Sequence, residues 1–370
     1  MSEIKIIHTG DNHLGYRQYG YVQREADFYL ATAEVAKQAI TLEADAVVFA
    51  GDIFDAVKPS ALAVKMLKNI IKRLKEAGIR CIGIDGNHDS VSGDWMEVCD
   101  IENINAKVVQ LSSKDKTVTM NIAGIASCRP SKFHAVLEEF KEAGYTDIPV
   151  LVIHQSVAEL ADYSAQDFTA LQVSTWVKPL GVQHVAMGDI HGYRETVING
   201  VRFCYCGSPE VKAIDEDPLK TASVITYDGK TVRTAVVGIR TRPFISCDIR
   251  EEADVDSILV KANQYNVPAI IVGYYSPECK DFVKRAETVL SAKGCMHRFL
   301  PISRAGPEIK SDEFNRDGAM MELKDAVEVY FTTGTDEFEL VFRLLDAPND
   351  VTAIVKSYLS DNNIAHILEE

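Results

Sequence analysis

The sequence lacks the features that mark secreted, membrane and disulfide-rich proteins. No apolar run approaches the ~20 residues that a membrane-spanning helix needs. Residues 1–7 lack the basic stretch, apolar core and cleavage site of a signal peptide and are typical of a first strand. The eight cysteines show no CxxC spacing. We therefore expect a cytoplasmic protein with reduced thiols and no membrane contact.

The sequence also has too few basic residues for a general nucleic-acid binder, because its formal net charge is −15 at pH 7. This charge does not exclude an enzyme that acts on nucleic acid. Carboxylates that bind metal ions raise the acidic count, and basic patches can be confined to one face.

Internal repeats and low-complexity segments are absent as well, and the 46% apolar and 25% charged residues are typical of a globular protein. A chain of 370 residues is long for one domain. The spacing of the apolar residues along the chain changes after Arg242. We expect a first domain at 1–242, a smaller α/β domain at 243–305, a linker at 306–325 and a C-terminal segment at 326–370.

Short apolar strands are predicted at 4–9, 46–50, 79–84, 150–153 and 185–187, and amphipathic helices at 26–42 and 60–76. Continuous apolar strands separated by helices are typical of parallel or mixed sheets with helices on the outside. In such sheets ligands bind beyond the carboxyl ends of the strands.

A polar motif follows each of these strands directly. The motifs are Asp11 with His13, Gly51-Asp52 with Asp55, Gly86-Asn87-His88-Asp89, His154, and Gly188-Asp189 with His191. Each motif alone is more often a turn or a structural histidine. Together, at strand ends and in this order, they supply oxygen and imidazole ligands that suit Mn, Fe or Zn beside a phosphate.

Two metal ions can clamp a phosphate, lower the pKa of a water molecule and stabilise the attacking and leaving oxygens. Asp52 has two oxygens and can bridge two ions, while Asn87 offers a neutral oxygen. His88 adjoins Asn87 and could donate a hydrogen bond to the phosphate or protonate the leaving oxygen. The sequence therefore predicts a two-metal phosphoesterase site.

The motif series resembles the calcineurin-like metallophosphoesterases. Longer strings resemble the SbcD-type nuclease subunit of the DNA double-strand-break repair complex, the "meiotic recombination eleven" nuclease of archaea and eukaryotes. These strings are residues 8–16 (HTGDNHLGY), 50–55 (AGDIFD), 154–157 (HQSV), 207–210 (GSPE) and 242–245 (RPFI). The resemblance implies two packed mixed β-sheets flanked by helices, a smaller α/β capping domain and a C-terminal helical tail.

The resemblance also implies roles for the motif residues. The first manganese ion would be bound by Asp11, His13, Asp52 and His191, and the second by Asp52, Asn87, His154 and Asp189. His88 would be the catalytic histidine, and Asp55 either catalytic or a support for the ligands. The family usually has histidine at the position of Asp189. An aspartate there favours Mn²⁺ or Mg²⁺ over Zn²⁺, and Fe²⁺ remains an alternative.

A nuclease needs phosphate contacts away from the metal ions. The candidates near the motifs are Tyr16, Arg17, Arg24, Lys58, Arg129, Lys132 and Arg194, although each could instead be an ordinary surface residue. In the family, C-terminal helices dock on the coiled-coil base of an SbcC-type ATPase. We expect this role for helices at 337–345 and 350–360; the alternative is packing on the chain's own capping domain. The resemblance also implies a homodimer.

Three functions compete at this stage. The first is a manganese-dependent DNA exo/endonuclease subunit with an ATPase partner, which would be nucleoid-associated. The second is a metallophosphoesterase acting on a small cyclic or mononucleotide phosphodiester. The third is a scaffold subunit with a weakened site, for which Asp189 is the only support. The additional domain and the tail favour the first, since a small-substrate enzyme needs neither.

Overall fold

A computed structural model describes residues 2–88, 95–160 and 168–302. The predicted linker (306–325) and C-terminal segment (326–370) lie outside the described residues. The chain divides into two compact units. The first comprises the residues up to Tyr16 and Asp27–Thr241, and the second comprises Arg17–Ala26 and the chain from Arg242 onward. The predicted domain boundaries stay predictions.

The chain up to Ile239 alternates strands and helices. Its described strands are β1 (Ile4–Thr9), β2 (Ala46–Ala50), β3 (Arg80–Ile84), β4 (Glu102–Asn103), β5 (Lys107–Ser112), β6 (Thr119–Ile125), β7 (Val150–His154), β8 (His184–Gly188), β9 (Arg194–Ile198), β10 (Val201–Tyr205), β11 (Lys220–Tyr227) and β12 (Val232–Ile239). Its described α-helices are α1 (Val22–Thr41), α2 (Ala61–Glu76), α3 (Trp95–Val98), α4 (Pro130–Glu142) and α5 (Ala170–Val177). Short 3-10 helices lie at Gln18–Gly20 and Lys178–Leu180.

The strands form two six-stranded mixed sheets. The first has the order β12-β11-β1-β2-β3-β4 and the second β5-β6-β7-β8-β10-β9. The central strands β1, β2 and β3 are parallel to one another, as are β6, β7 and β8. Their carboxyl ends therefore lie side by side within each sheet.

The central strands are largely apolar because both of their faces are buried. In β2, Val48 faces the second sheet and packs in a cluster with Val152 of β7 and Ala186 of β8. Its neighbours Val47 and Phe49 point the other way and pack against α1 and α2. Helices α4 and α5 cover the outer face of the second sheet in the same manner. Two mixed sheets flanked by helices confirm the predicted fold class.

The second unit contains a small parallel sheet. Its described strands are β13 (Phe244–Ser246), β14 (Ile270–Tyr275) and β15 (Met296–Pro301), with α6 (Glu252–Ala262), a 3-10 turn at Pro277–Cys279 and α7 (Lys280–Ala292) between them. Ile258 of α6 and Val283 and Leu290 of α7 pack on Ile271 of β14. Strand β13 is short and ends at Ser246.

None of the helices in the described part of the chain is both long enough and apolar enough to cross a membrane.

Candidate metal centre

The loops after β1 and β2 run side by side and bring the first two motifs together. The backbone N–H groups of Asp11 and His13 donate to the carbonyl oxygens of Gly51 and Asp52, each over 3.0 Å. Further along, Leu14 and Phe54 form a parallel bridge. These backbone bonds fix the side chains of Asp11, His13 and Asp52 around one point before any ligand binds.

The glycines in the motifs are required because the strand ends approach closely. A Cβ atom on Gly86 would lie 2.0 Å from Oδ1 of Asp52. A Cβ atom on Gly188 would lie 2.1 Å from the carbonyl oxygen of Ala50 and 2.8 Å from Nδ1 of His154. Contacts this short do not occur between real atoms, so a side chain at either position would push the loops apart.

Four candidate ligands have a strained backbone. The φ angles are 52° at Asp11, 45° at His13, 49° at Asp52 and 105° at Asp189. Such conformations cost on the order of 1–3 kcal/mol each and persist only where the surrounding structure imposes them. Strain at four residues of one cluster is typical of a functional site.

The buried His154 and the partly exposed His191 present their Nε2 atoms to the centre. Nδ1 of His154 lies 2.8 Å from the carbonyl oxygen of Ala50 and must donate to it. Nδ1 of His191 lies 2.7 Å from Oε1 of Glu216 and likewise donates. A hydrogen bond of this kind at Nδ1 leaves Nε2 available as a metal ligand and fixes the ring's orientation.

Oδ2 of Asp52 lies among three imidazole nitrogens, 3.6 Å from Nε2 of His154 and 3.9 Å from Nε2 of both His13 and His88. Nε2 of His154 also lies 3.0 Å from Oδ1 of Asn87 and 3.9 Å from Oδ1 of Asp189. Potential ligand atoms form three sets, and within each set all the atoms lie within 4.8 Å of one another. The sets are Asp11, His13 and His191; His13, Asp52 and His88; and Asp11, Asp52 and His154. Lone pairs that converge in this way repel one another unless a cation lies between them, so the residues fit divalent metal ions.

The pKa values show the same need for a cation. Burial raises the pKa of Asp11 above its ordinary value and lowers that of His13 to about 4. Burial alone would lower the pKa of His154, but the carboxylates of Asp11 and Asp52 outweigh it and raise the pKa. A histidine binds a metal ion as the neutral ring, so protons and metal ions compete for His154 and metal binding becomes weaker as the pH falls.

We call Asp11, His13, Asp52, Asn87, His154, Asp189 and His191 the ligand cluster. Asp11, His13, Asp52 and His154 are buried. The side chains of Asp189 and His191 are 26% and 24% exposed, and Asn87 is also exposed. The structure thus brings all the predicted ligands together at the carboxyl ends of β1, β2, β3, β7 and β8. Their division between two metal ions stays a prediction.

The two predicted catalytic residues lie on the open side of the ligand cluster. Nδ1 of His88 lies 2.8 Å from the carbonyl oxygen of Asp55 and donates to it, and the His88 side chain is 37% exposed. The backbone N–H of His88 donates to Oδ1 of Asp52 over 2.9 Å. His88 is therefore held against the cluster with its Nε2 atom available to a substrate.

Three residues of the 206–220 loop belong to the site, although the sequence analysis did not select them. Glu216 accepts from Nδ1 of His191, from the backbone N–H of Lys212 over 3.0 Å and from Nζ of Lys220 over 2.6 Å. Lys220 and His191 hold the pKa of Glu216 at about 2 against the effect of burial. The GSPE string at 207–210 was the signal that pointed to this loop.

The predicted DNA contacts have different environments. Lys58, Arg129 and Lys132 are exposed. Arg17 is exposed and pairs with Glu25.

The other DNA candidates have partners within the protein. Arg194 donates to the carbonyl oxygen of Leu160 over 2.9 Å. Tyr16 packs edge-on against Phe28. Arg24 is fully buried with its Nε donating to Gln18, so this candidate does not offer a surface for DNA.

Comparisons with known proteins agree with this geometry. The family model described as "Calcineurin-like phosphoesterase" matches residues 4–193. The chain is 30% identical to the "DNA double-strand break repair protein Mre11" of Methanosarcina mazei, over 73% of this chain and 44% of that protein. It is 29% identical to the protein of the same name from Methanosarcina acetivorans, over 73% of this chain and 45% of that protein. The chain thus spans less than half the length of these two curated relatives.

Among solved structures, a dimetal phosphatase from Danio rerio is 11% identical, with a TM-score of 0.42 over 65% of this chain and 96% of that chain. The calcineurin-like phosphoesterase model covers more than half of the chain. The chain therefore belongs to the calcineurin-like phosphoesterase family.

Proposed function

We propose that this protein is a metal-dependent DNA exo/endonuclease subunit that hydrolyses phosphodiester bonds at DNA ends in double-strand-break repair. The carrying observation is the ligand cluster itself, in which acceptor atoms of both sheets converge beside His88 at an open surface. The similarity to double-strand break repair proteins over 73% of the chain supports DNA as the substrate.

The ligand cluster would hold two divalent ions, which supply charge neutralisation at the phosphate and acidify the attacking water. We propose Mn²⁺ for both positions, because the added carboxylate of Asp189 favours an oxygen-preferring ion; Mg²⁺ and Fe²⁺ are the alternatives. Asp52 would contact both ions, since its two oxygens face different neighbours.

His88 would act on the substrate directly. The carbonyl oxygen of Asp55 accepts from Nδ1 and orients the ring. In its protonated form His88 can then donate from Nε2 to the leaving oxygen of the scissile bond, which restores a neutral hydroxyl on the departing strand. Asp55 therefore contributes at least its backbone oxygen to catalysis.

An assay with Mn²⁺ on linear duplex, hairpin and single-stranded DNA, run beside bis-p-nitrophenyl phosphate and cyclic AMP, tests the proposal. We expect DNA cleavage that His88→Ala reduces by about 10²-fold or more. His134→Ala, which removes an exposed histidine of α4, is the matched control and should cleave normally. Hydrolysis of the small esters without DNA cleavage would establish the small-phosphodiester alternative. A metal-loaded protein with no hydrolytic activity would favour the scaffold.

We also propose that the protein works as a homodimer with an SbcC-type coiled-coil ATPase, bound through residues 326–370. The support is the family resemblance together with the apolar spacing of 337–345 and 350–360. Deletion of 325–370 should abolish association with the ATPase and leave hydrolysis of bis-p-nitrophenyl phosphate intact. Unchanged association would contradict the assignment. Such a complex would act inside the cell, at the nucleoid.

A further inference from the structure

A lysine lies at the rim of the ligand cluster. Nζ of Lys212 lies 3.1 Å from Nδ1 and 3.2 Å from Nε2 of His13, and 3.3 Å from Oδ1 of Asp55. Its side chain is 18% exposed and that of Asp55 is 25% exposed. The ammonium group is therefore half-buried beside the predicted ligands and on the same open side as Asp55.

Several contacts hold this ammonium in place. Asp55 pairs with it, and the ring of Tyr16 lies below it with 5.3 Å between Nζ and the ring centroid. Glu216 accepts from the backbone N–H of Lys212 and also from Nδ1 of His191. One carboxylate thus fixes both a predicted metal ligand and the backbone that carries the lysine. A donor fixed before the substrate arrives costs little reorganisation during the reaction.

The charge of Lys212 is unfavourable unless an anion joins it. A divalent ion held by His13 would repel the ammonium, because like charges close together in a partly buried site repel one another. Asp55 offsets a part of this repulsion. A substrate phosphate that binds at this rim can offset the remainder, because an ammonium group can donate to a phosphate oxygen.

We propose that Lys212 is a further catalytic residue, whose ammonium group donates to a non-bridging oxygen of the scissile phosphate. Asp55 then acts through Lys212, as a positioning residue that aims the ammonium at the phosphate. The inference rests on the proposed phosphodiester hydrolysis at this site, but it does not depend on the substrate being DNA.

The test compares Lys212→Met, Lys212→Arg and wild type in the full chain, with bis-p-nitrophenyl phosphate and with DNA. We expect Lys212→Met to lower kcat/KM by about 10²-fold on each substrate that wild type hydrolyses. Inhibition by inorganic phosphate should weaken in the same variant, and Lys212→Arg should recover a part of both losses. Lys72→Met removes an exposed lysine that pairs with Glu76 on α2. This control should leave kcat/KM and the inhibition by inorganic phosphate unchanged.

Metal content measured by mass spectrometry separates the proposed role from a structural one. Lys212→Met should bind as much Mn²⁺ as wild type, since a positive charge has been removed from the site. Loss of bound metal, or unchanged hydrolysis and phosphate inhibition, would overturn the proposal. If wild type hydrolyses only the small diester, the DNA assignment fails while the comparison on that ester still decides the role of Lys212.

Discussion

At the scale of single residues, Asp189 is where the sequence analysis expects a departure from the family pattern. Its backbone φ of 105° is unusual for any residue but glycine, and its N–H donates to both carboxylate oxygens of Asp11 over 3.1 Å. The backbone at this position thus organises the neighbouring ligand, whichever side chain is present. The side chain itself reaches within 3.9 Å of His154 and adds a negative charge to the cluster.

The choice of aspartate should therefore set metal preference. Asp189→His replaces an oxygen by a nitrogen ligand and removes one negative charge, so we expect more Zn²⁺ and less Mn²⁺ to be retained from an equimolar mixture. Metal content after gel filtration measures this. Asp281→His, at a side chain that is 93% exposed, is the control. An unchanged ratio of the two metals in Asp189→His would remove Asp189 from the set of ligands.

At the scale of secondary-structure elements, prediction succeeded where the apolar period was strong. The predicted strand at 46–50 is β2 without change, and helix 60–76 differs from α2 by one residue, because Ser60 is its N-cap. Between 107 and 177 the sequence analysis identified β7 but not β5, β6, α4 or α5. β5 lies at the edge of its sheet and has only one buried residue, so its sequence lacks the continuous apolar run of a central strand.

The glycines at strand ends give a test at this scale. Gly86→Ala places a methyl group on Oδ1 of Asp52, which must separate the loops after β2 and β3. We expect it to abolish metal binding and hydrolysis while the secondary structure is retained. Gly238→Ala in β12, where a Cβ atom meets nothing within 4 Å, is the matched control. Calorimetric titration with Mn²⁺ and circular dichroism provide the measurements, and tight binding by Gly86→Ala would contradict the geometry.

At the scale of the whole molecule, the layer between the two sheets contains an unexpected polar pair. His8 of β1 and His184 of β8 are fully buried on the strand faces that carry Ile6 and Ala186. The ring nitrogens of His184 have no hydrogen-bond partner among the described residues, and His8 interacts with a backbone group of Met187. Burial lowers the pKa of each histidine to about 3. Both rings are therefore neutral in the folded protein at physiological pH.

This pair makes the fold sensitive to acid. Between the ordinary histidine pKa of 6.5 and the folded value of about 3, the unfolded chain binds a proton that the folded chain does not. The free energy of unfolding should therefore fall by about 1.4 kcal/mol per pH unit for each histidine as the pH drops below 6.5. Urea titrations between pH 7 and 5 measure how steeply the free energy of unfolding changes with pH in wild type and in His184→Phe. The change should be less steep in His184→Phe, by the equivalent of about one proton taken up on unfolding. The exposed control His134→Gln should match wild type, and an equal pH dependence in all three proteins would contradict the prediction.

The sequence by itself determined the family, the strands that carry the motifs and the residues that the fold brings together in the ligand cluster. It could do so because ligand chemistry depends on residue type and because carboxyl ends of parallel strands lie together. The tertiary structure alone decided which atoms meet. The strained backbone at Asp11 and Asp189 and the contacts of Lys212 and Glu216 with His13 and His191 join loops far apart in the chain. No local pattern encodes such contacts, since they arise only when both sheets have packed.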